Sequence, residues 1–339
     1  MTILIGMLRE RGSPGPIATA MALAAMAQGA DLIFFRPADV DLTRRVILAR
    51  RFRGDRWEGC ESRFPDVIEN DDRVALAPHA AVWAALTGSA PFTTRRLGGK
   101  REMSRRLAGH SGLVPLMIPQ MLPQSDADLD RGLAEFGTAI LKPVYGSQGR
   151  GIWKLHGTAG GVEVRSSGDA APFCAAQGRG LLERLTGGKP FLLQKFIDSR
   201  LPEGNPFDIR LHLRRDGRAE WQKIKIYARI GLPEAITSNV ATGGSVSEAL
   251  PLLRHRYGSE APQVMRRLED LAREVPGQVQ SLYPRFEIDA LGVDLGLDEH
   301  GQPWLFEINS FPGAKYFETA DAVPRIGWCL YLARKAAAV

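Results

Sequence analysis

The chain has 339 residues, a formal net charge of +6 and a sequence isoelectric point near 9.4, with 44% hydrophobic and 24% charged residues. That length accommodates two or three lobes sharing a nucleotide-sized cleft, and the composition is that of an ordinary globular protein. The basic residues are mostly arginines interleaved with acids, as in Arg50-Arg51-Phe52-Arg53-Gly54-Asp55-Arg56, which suits anionic substrates and argues against nucleic acid as the partner.

Ile3–Leu8 is a buried-strand pattern, followed by a Gly/Pro turn (Gly12–Pro16), a helix over Ile17–Gln28 stopped by Gly29, and a strand at Leu32–Arg36. This βαβ order favours a parallel sheet, and its glycines do not make the dinucleotide fingerprint. The apolar run Ile17–Ala27 ends in Ala25-Met26-Ala27 and mimics a signal peptide, but the apolar segments on both sides of it give strand, helix, strand instead. No run is apolar over the roughly 18 residues needed to span a membrane. Cys60, Cys174 and Cys329 are odd in number and far apart, without a CxxC, so neither a zinc site nor a disulfide framework is indicated. A reducing cytoplasm is the expected location.

Further strands are expected at Val46–Ala49, Arg53–Trp57 and Asp66–Glu69, and the first lobe closes near Ala90. Lys100–Gly109 reads as helix, Leu113–Ile118 as extended, and Asp126–Phe136 as helix. Ala139–Leu155 (AILKPVYGSQGRGIWKL) is a strand delivering Lys142, a glycine-rich loop and a returning strand. Such a loop either folds its N–H groups over phosphates or is simply a glycine-rich hairpin. Phe191–Ile197 is another strand. Two more strands flank Asp216-Gly217, with Asp208 and Arg210 on one face by period two and Arg229 ending the second. Ile236–Ser245 reads as a mobile loop, Leu250–Ala272 as mainly helical with an interruption near Gly258–Pro262, and Ala320–Ala338 as a closing helix. His212 and His255 read as structural residues.

Between the last two helices, Phe286–Pro312 reads as a hairpin. Leu291, Val293, Leu295 and Leu297 share one face of its first strand, opposite Gly292 and Asp294. On its second strand Trp304, Phe306 and Ile308 oppose Leu305, Glu307 and Asn309. If Leu297 pairs with Gln302, Asp294 and Glu307 become diagonal neighbours, roughly 7–8 Å apart at the backbone. Two carboxylates and an amide oxygen then converge. Taken alone, that face is either a Mg²⁺ site or a solvated face with ordinary acids.

The ordered set Lys100, Lys142 with GSQGRG, LLQKFI, FDIR, Arg229, TSN before Gly243-Gly244, GVD and EINSFPG resembles the ATP-grasp superfamily. The chain looks most like its YheC/YheD-type, spore-coat-associated branch, and it shares features with ligases that add amino acids to tubulin or ribosomal proteins. The resemblance covers nearly the whole chain. It implies an α/β (α+β) ATP-grasp fold: an N-terminal βαβ lobe over residues 1–90, and an ATP-grasp domain over 91–339 with a lid lobe (138–198) and a C-terminal lobe (199–339) clasping ATP.

By the same resemblance, Lys100 and Lys142 would contact the ATP phosphates under a flap containing Gly146, Ser147, Gln148, Gly149 and Gly151. Gln194, Lys195, Phe196 and Ile197 would form the adenine hinge, and Asp208 would hold ribose. Arg210, Arg229 and Asn239 would surround the γ-phosphate and acceptor. Asp294, Glu307 and Asn309 would hold Mg²⁺, or Mn²⁺ in its place. The implied activity is carboxylate–amine ligation through an acylphosphate, on small-molecule or peptide substrates with some acidic character, in a chain that could form a homodimer. Two other readings stand beside it: a catalytically silent coat or scaffold protein, and an ATP-grasp phosphotransferase.

Overall fold

The computed structural model describes the chain apart from residues 1, 11, 71–78, 99, 110–111, 145–150, 167–172, 176–179, 234, 236–237, 239–243 and 339. Three sheets organise it.

The first sheet contains β1 (Leu4–Leu8), β2 (Asp31–Phe35), β3 (Val40–Asp41), β4 (Val46–Arg53), β5 (Arg56–Ser62) and β6 (Val67–Asn70). Its order is β3-β4-β2-β1-β6, with β5 paired to β4. β1 pairs in parallel with both β2 and β6, as expected of a βαβ unit. The crossover helix α1 (Pro16–Ala27) begins with Pro16, whose missing N–H costs nothing in the first turn, and Gly29 follows it at φ +73°. β4 and β5 form one long hairpin around Gly54-Asp55, so the strand expected at Arg53–Trp57 is in fact its turn. Gly54 adopts φ +64°, which a two-residue hairpin loop favours. A short helix, α2 (Ala80–Thr87), follows.

The second sheet contains β7 (Gln120–Met121), β8 (Thr138–Pro143), β9 (Trp153–Thr158), β10 (Gly161–Ser166), β11 (Phe173–Ala175) and β12 (Phe191–Lys195), in the order β11-β10-β9-β8-β12-β7. α3 (Lys100–Ala108) precedes it. The Leu113–Ile118 segment is not extended: Pro115 opens a 3₁₀ turn over Val114–Leu116. α4 (Asp126–Phe136) starts where the Ser125 side chain accepts from the Asp128 N–H at 3.2 Å and ends at Gly137, φ +69°. α5 (Leu181–Thr186) completes this layer, and Leu129, Leu133, Leu141, Leu155 and Leu193 fill its core.

The third sheet contains β13 (Phe207–Arg215), β14 (Trp221–Ile230), β15 (Ser245–Glu248), β16 (Ala290–Leu297) and β17 (Pro303–Asn309), in the order β15-β14-β13-β16-β17. One face packs on α6 (Ala249–Tyr257) and α7 (Ala261–Ser281), through Val264, Leu268, Val275 and Val279 against Leu211, Val293 and Leu295.

The last helix, α8 (Glu318–Ala337), packs on α1. Ala322, Ile326, Leu330 and Ala333 share a buried cluster with Ala18, Met21 and Ala25. On another side, Gly327 lies against the β13–β14 turn so closely that a Cβ would come within 2.7 Å of the Gly217 nitrogen.

Candidate active site

β13 runs through the middle of the third sheet. Phe207, Ile209, Leu211 and Leu213 enter the core, and by period two Asp208, Arg210, His212 and Arg214 line the opposite face. All four polar residues are nevertheless buried. Burying such charges is costly unless they are paired, and the register supplies the pairs. Asp208 stands opposite Arg229 on β14, and Arg210 opposite Asp294 on β16. Arg229 donates Nε to Asp208 Oδ1 and Nη2 to Asp208 Oδ2, both at 2.7 Å, and its Nη2 also lies 2.8 Å from Asp294 Oδ2. Arg210 donates Nε to Asp294 Oδ1 at 2.5 Å and Nη2 to Asp294 Oδ2 at 2.7 Å. The Ser238 hydroxyl donates to Asp208. Burial opposes the Arg229 charge, but Asp208 and Asp294 outweigh it and hold its pKa above the ordinary arginine value.

The hairpin register differs from the sequence expectation. Leu297 pairs with Pro303, and a bulge between Asp294 and Leu295 leaves Phe306 unpaired, so Asp294 faces Glu307 directly and Gly292 faces Asn309. The bulge lets Leu305 and Ile308 both enter the core, which strict alternation forbids. Phe306 instead lies over Gly296, where a Cβ would come within 2.1 Å of its ring. Gly292 is likewise needed: a Cβ there would approach Pro312 to 2.9 Å and the Arg210 Cδ to 3.3 Å.

Asp294, Glu307 and Asn309 are therefore adjacent, and their hard oxygen donors suit Mg²⁺. Among the described residues there is no group of three or more His, Cys, Asp or Glu that could hold a metal. Asp294 already accepts from Arg210 and Arg229, and from Asn309 Nδ2 at 3.3 Å. The composition fits a divalent cation provided that cation takes over part of the charge the guanidiniums now neutralise.

The second sheet carries the other expected residues. Lys142 on β8 donates to Gln194 Oε1 at 2.8 Å, and Gln194 donates to Gln120 Oε1 at 3.1 Å. In the segment expected to form the hinge, the Lys195 N–H is bonded to the Pro119 carbonyl and the Phe196 N–H to the Thr138 carbonyl, both at 2.9 Å, so two of its donors are committed. Lys154 lies 3.9 Å from the centre of the Phe196 ring, and burial followed by the nearby Arg200 lowers its pKa. Ile197 is buried beside them. Gly151 has φ +68° and lies against Pro143. Gly146, Ser147, Gln148, Gly149 and Asn239 lie outside the described residues, as does the side chain of Lys100, whose backbone opens α3.

Sequence reading missed how the row on β13 continues. His212 Nε2 meets Asp321 Oδ1 at 2.7 Å, and Arg214 Nε donates to the same oxygen at 2.7 Å. Arg214 also approaches Asp289 Oδ2 at 3.4 Å, where the Thr94 hydroxyl donates at 2.8 Å. Arg325 links Asp321 to Glu69 at the end of β6, and Glu69 also pairs with Arg9 at 2.7 Å. Burial works against the Asp321 charge, but the neighbouring Arg214 and His212 push its pKa well below the usual carboxylate range. The available signal was period two, which places His212 and Arg214 beside Arg210, together with an i,i+4 Asp321–Arg325 pair on α8. His255, by contrast, is exposed and pairs with Glu203 at 2.8 Å.

A model of the YheC/D-like ATP-grasp family matches residues 89–326. The chain belongs to this family. It is 25% identical over 233 residues to the endospore coat-associated protein YheD of Bacillus subtilis (strain 168), covering 67% of this chain and 51% of YheD, so it spans about half the length of that relative. It is 25% identical over 312 residues to the endospore coat-associated protein YheC of the same organism, covering 87% and 84%. Among solved structures, it is similar to the ATP-grasp ligase PsnB complexed with precursor peptide PsnA2 and AMPPNP (TM-score 0.52, 13% identity, 97% of this chain and 98% of that one). It is also similar to N5-carboxyaminoimidazole synthetase from Staphylococcus aureus (TM-score 0.51, 12% identity, 96% and 78%). These likenesses show the ATP-grasp fold. Among the described residues no helix is long and apolar enough to cross a membrane.

Proposed function

We propose that this family member is an ATP-dependent carboxylate–amine ligase that uses Mg²⁺. The observation that carries the reading is the cross-strand cluster in which Arg210 and Arg229 converge on Asp294, beside Glu307 and Asn309. Phosphoryl transfer requires cations positioned in advance around developing negative charge, and a buried pair of guanidiniums beside hard oxygen ligands is such an arrangement. Asp294, Glu307 and Asn309 would hold Mg²⁺, which supplies charge neutralisation and Lewis acidity at phosphate oxygens. Lys142 would meet phosphate oxygens from the second sheet, and Asp208, clamped to Arg229, would orient that guanidinium rather than bind ribose.

In the proposed reaction a substrate carboxylate oxygen attacks the γ-phosphorus of ATP, ADP departs, and an acylphosphate forms. An amine then attacks the acyl carbon, phosphate departs and the amine loses a proton. No protein nucleophile is needed. Peptide substrates are favoured because PsnB was solved with a precursor peptide.

The test is the thermal midpoint of wild type and Glu307→Ala, with MgATP, with Mg²⁺ and a non-hydrolysable analogue, and without ligand. At a hundredfold excess over Kd a bound ligand stabilises by about 2.7 kcal/mol. A Mg²⁺-dependent rise that Glu307→Ala weakens supports the site, and acid–amine pairs can then be screened for ADP and phosphate release. No rise with any nucleotide would overturn the reading and favour a coat or scaffold role, in keeping with the names of YheC and YheD.

A further inference from the structure

The first sheet carries a groove of about 520 Å³ that the nucleotide chemistry does not use, lined by Gly12 in the loop after β1 and by residues of β2, β4 and β5. Its volume lies in the roughly 300–1,000 Å³ range of small-ligand sites. Register fixes its floor. Phe34 pairs with Arg50 and Arg50 with Gly59, so these three stand in one row across three strands and share a face; Leu48 and Glu61 form the next row on that face. Phe34 is buried, whereas Leu48 is 59% exposed, an unusual position for a leucine on a long strand with a concave neighbour.

The charges around the groove do not cancel. Arg36 is held by Asp39 through contacts of 3.0 and 2.8 Å. Glu61 is neutralised by Arg44 at 2.7 Å. Arg50 faces the groove with Asp39, which Arg36 already holds, as its charged neighbour. Arg36 and Arg50 thus share one carboxylate beside apolar surface, so the groove keeps an excess of positive charge, and a guanidinium fork matches a carboxylate. At Gly59, directly across from Arg50, a Cβ would meet nothing within 4 Å, so the strand leaves open space beside the cation.

We propose that this groove binds the free carboxylate of an apolar amino acid or peptide C-terminus, with Arg50 gripping the carboxylate and Leu48 and Phe34 contacting the apolar side chain. The site is independent of nucleotide and metal, so it stands or falls separately from the ligase reading.

The experiment is saturation-transfer NMR and titration on the full chain, using N-acetyl-leucine, its C-terminal amide and Gly-Gly-Leu as probes at millimolar concentration. Both free acids are expected to bind and the amide is not. Arg50→Gln, at an exposed strand position, should weaken the acids by about tenfold, the value of one charge-assisted hydrogen bond. Gly59→Leu should abolish binding by filling the groove. Thermal midpoints of both variants, and their response to MgATP, should match wild type, which separates a lost site from a lost fold. The proposal is overturned if the amide binds as well as the acid, if Arg50→Gln leaves affinity unchanged, or if wild type binds none of the probes.

Discussion

Arg229 clamps Asp208 from directly across the sheet, with both guanidinium–carboxylate contacts at 2.7 Å, and the same Nη2 reaches Asp294. One arginine therefore compensates two buried carboxylates. Replacing it with methionine leaves both short of a partner, and breaking a buried pair from one side costs about 3–5 kcal/mol. Arg229→Met should lower the unfolding free energy by that order in chemical denaturation. Adding Mg²⁺ should recover more stability in the variant than in wild type, because the cation can stand in for the lost charge at Asp294. Equal Mg²⁺ responses would show that Asp294 is not a metal ligand.

Glu307 faces Asp294 across the bulged hairpin. Glu307→Gln preserves size and removes one charge from the donor set. The expected result is a midpoint close to wild type without ligand, loss of the Mg²⁺-dependent nucleotide shift, and no ADP formation. Retention of wild-type turnover would remove Glu307 from the site.

Gly296 gives way to the Phe306 ring, where a Cβ would stand 2.1 Å away. Gly296→Ala should destabilise by about 1–3 kcal/mol, as overpacking does. Combining it with Phe306→Ala should cost less than the sum of the single changes, since the second removes the obstacle. Additive costs would mean the ring is not where the clash arises.

His212 is fully buried, and burial lowers its pKa below the usual 6.5 despite the partner Asp321. The unfolded chain takes up a proton near pH 6.5 that the folded chain resists, so this stabilisation is present above that pH and is lost as pH falls below it. Asp321, depressed below 3.8, adds a loss in the same direction at lower pH. Thermal midpoints measured from about pH 8 to 5 should therefore fall on acidification, and His212→Gln should flatten the fall between about pH 6.5 and 5. An unchanged slope in that variant would assign the pH dependence elsewhere.

Period two made much of this site legible. It placed Asp208 with Arg210, put Arg229 one residue short of the end of β14, and drew Asp294, Glu307 and Asn309 together as neighbours. It failed where one extra residue is inserted: nothing in PWLFEIN marks Phe306 as a bulge, because its size and polarity suit either face, and only the demand that both Leu305 and Ile308 be buried reveals it. The reach of Arg325 to Glu69 was also illegible, since it depends on α8 returning to the first sheet, a long-range choice that local pattern does not encode. Likewise, Pro115 bent a segment whose apolar run reads as strand.

The packing of α8 on α1 has a consequence for biosynthesis. The side of α1 and β6 that α8 covers stays open until residues near Ile326 and Leu330 have left the ribosome, long after β1 and α1 are made. Glu69 has Arg9 within its own lobe, but its second partner, Arg325, arrives only with α8, as does Asp321, the partner of His212 and Arg214. The lobe built on the first sheet is thus completed after the third sheet has been made. Premature termination anywhere before α8 would leave Met21, Ala22 and Ala25 open to solvent, a surface that chaperones and proteases can recognise. The buried charge network joining that lobe to the third sheet therefore forms only after α8 has been made.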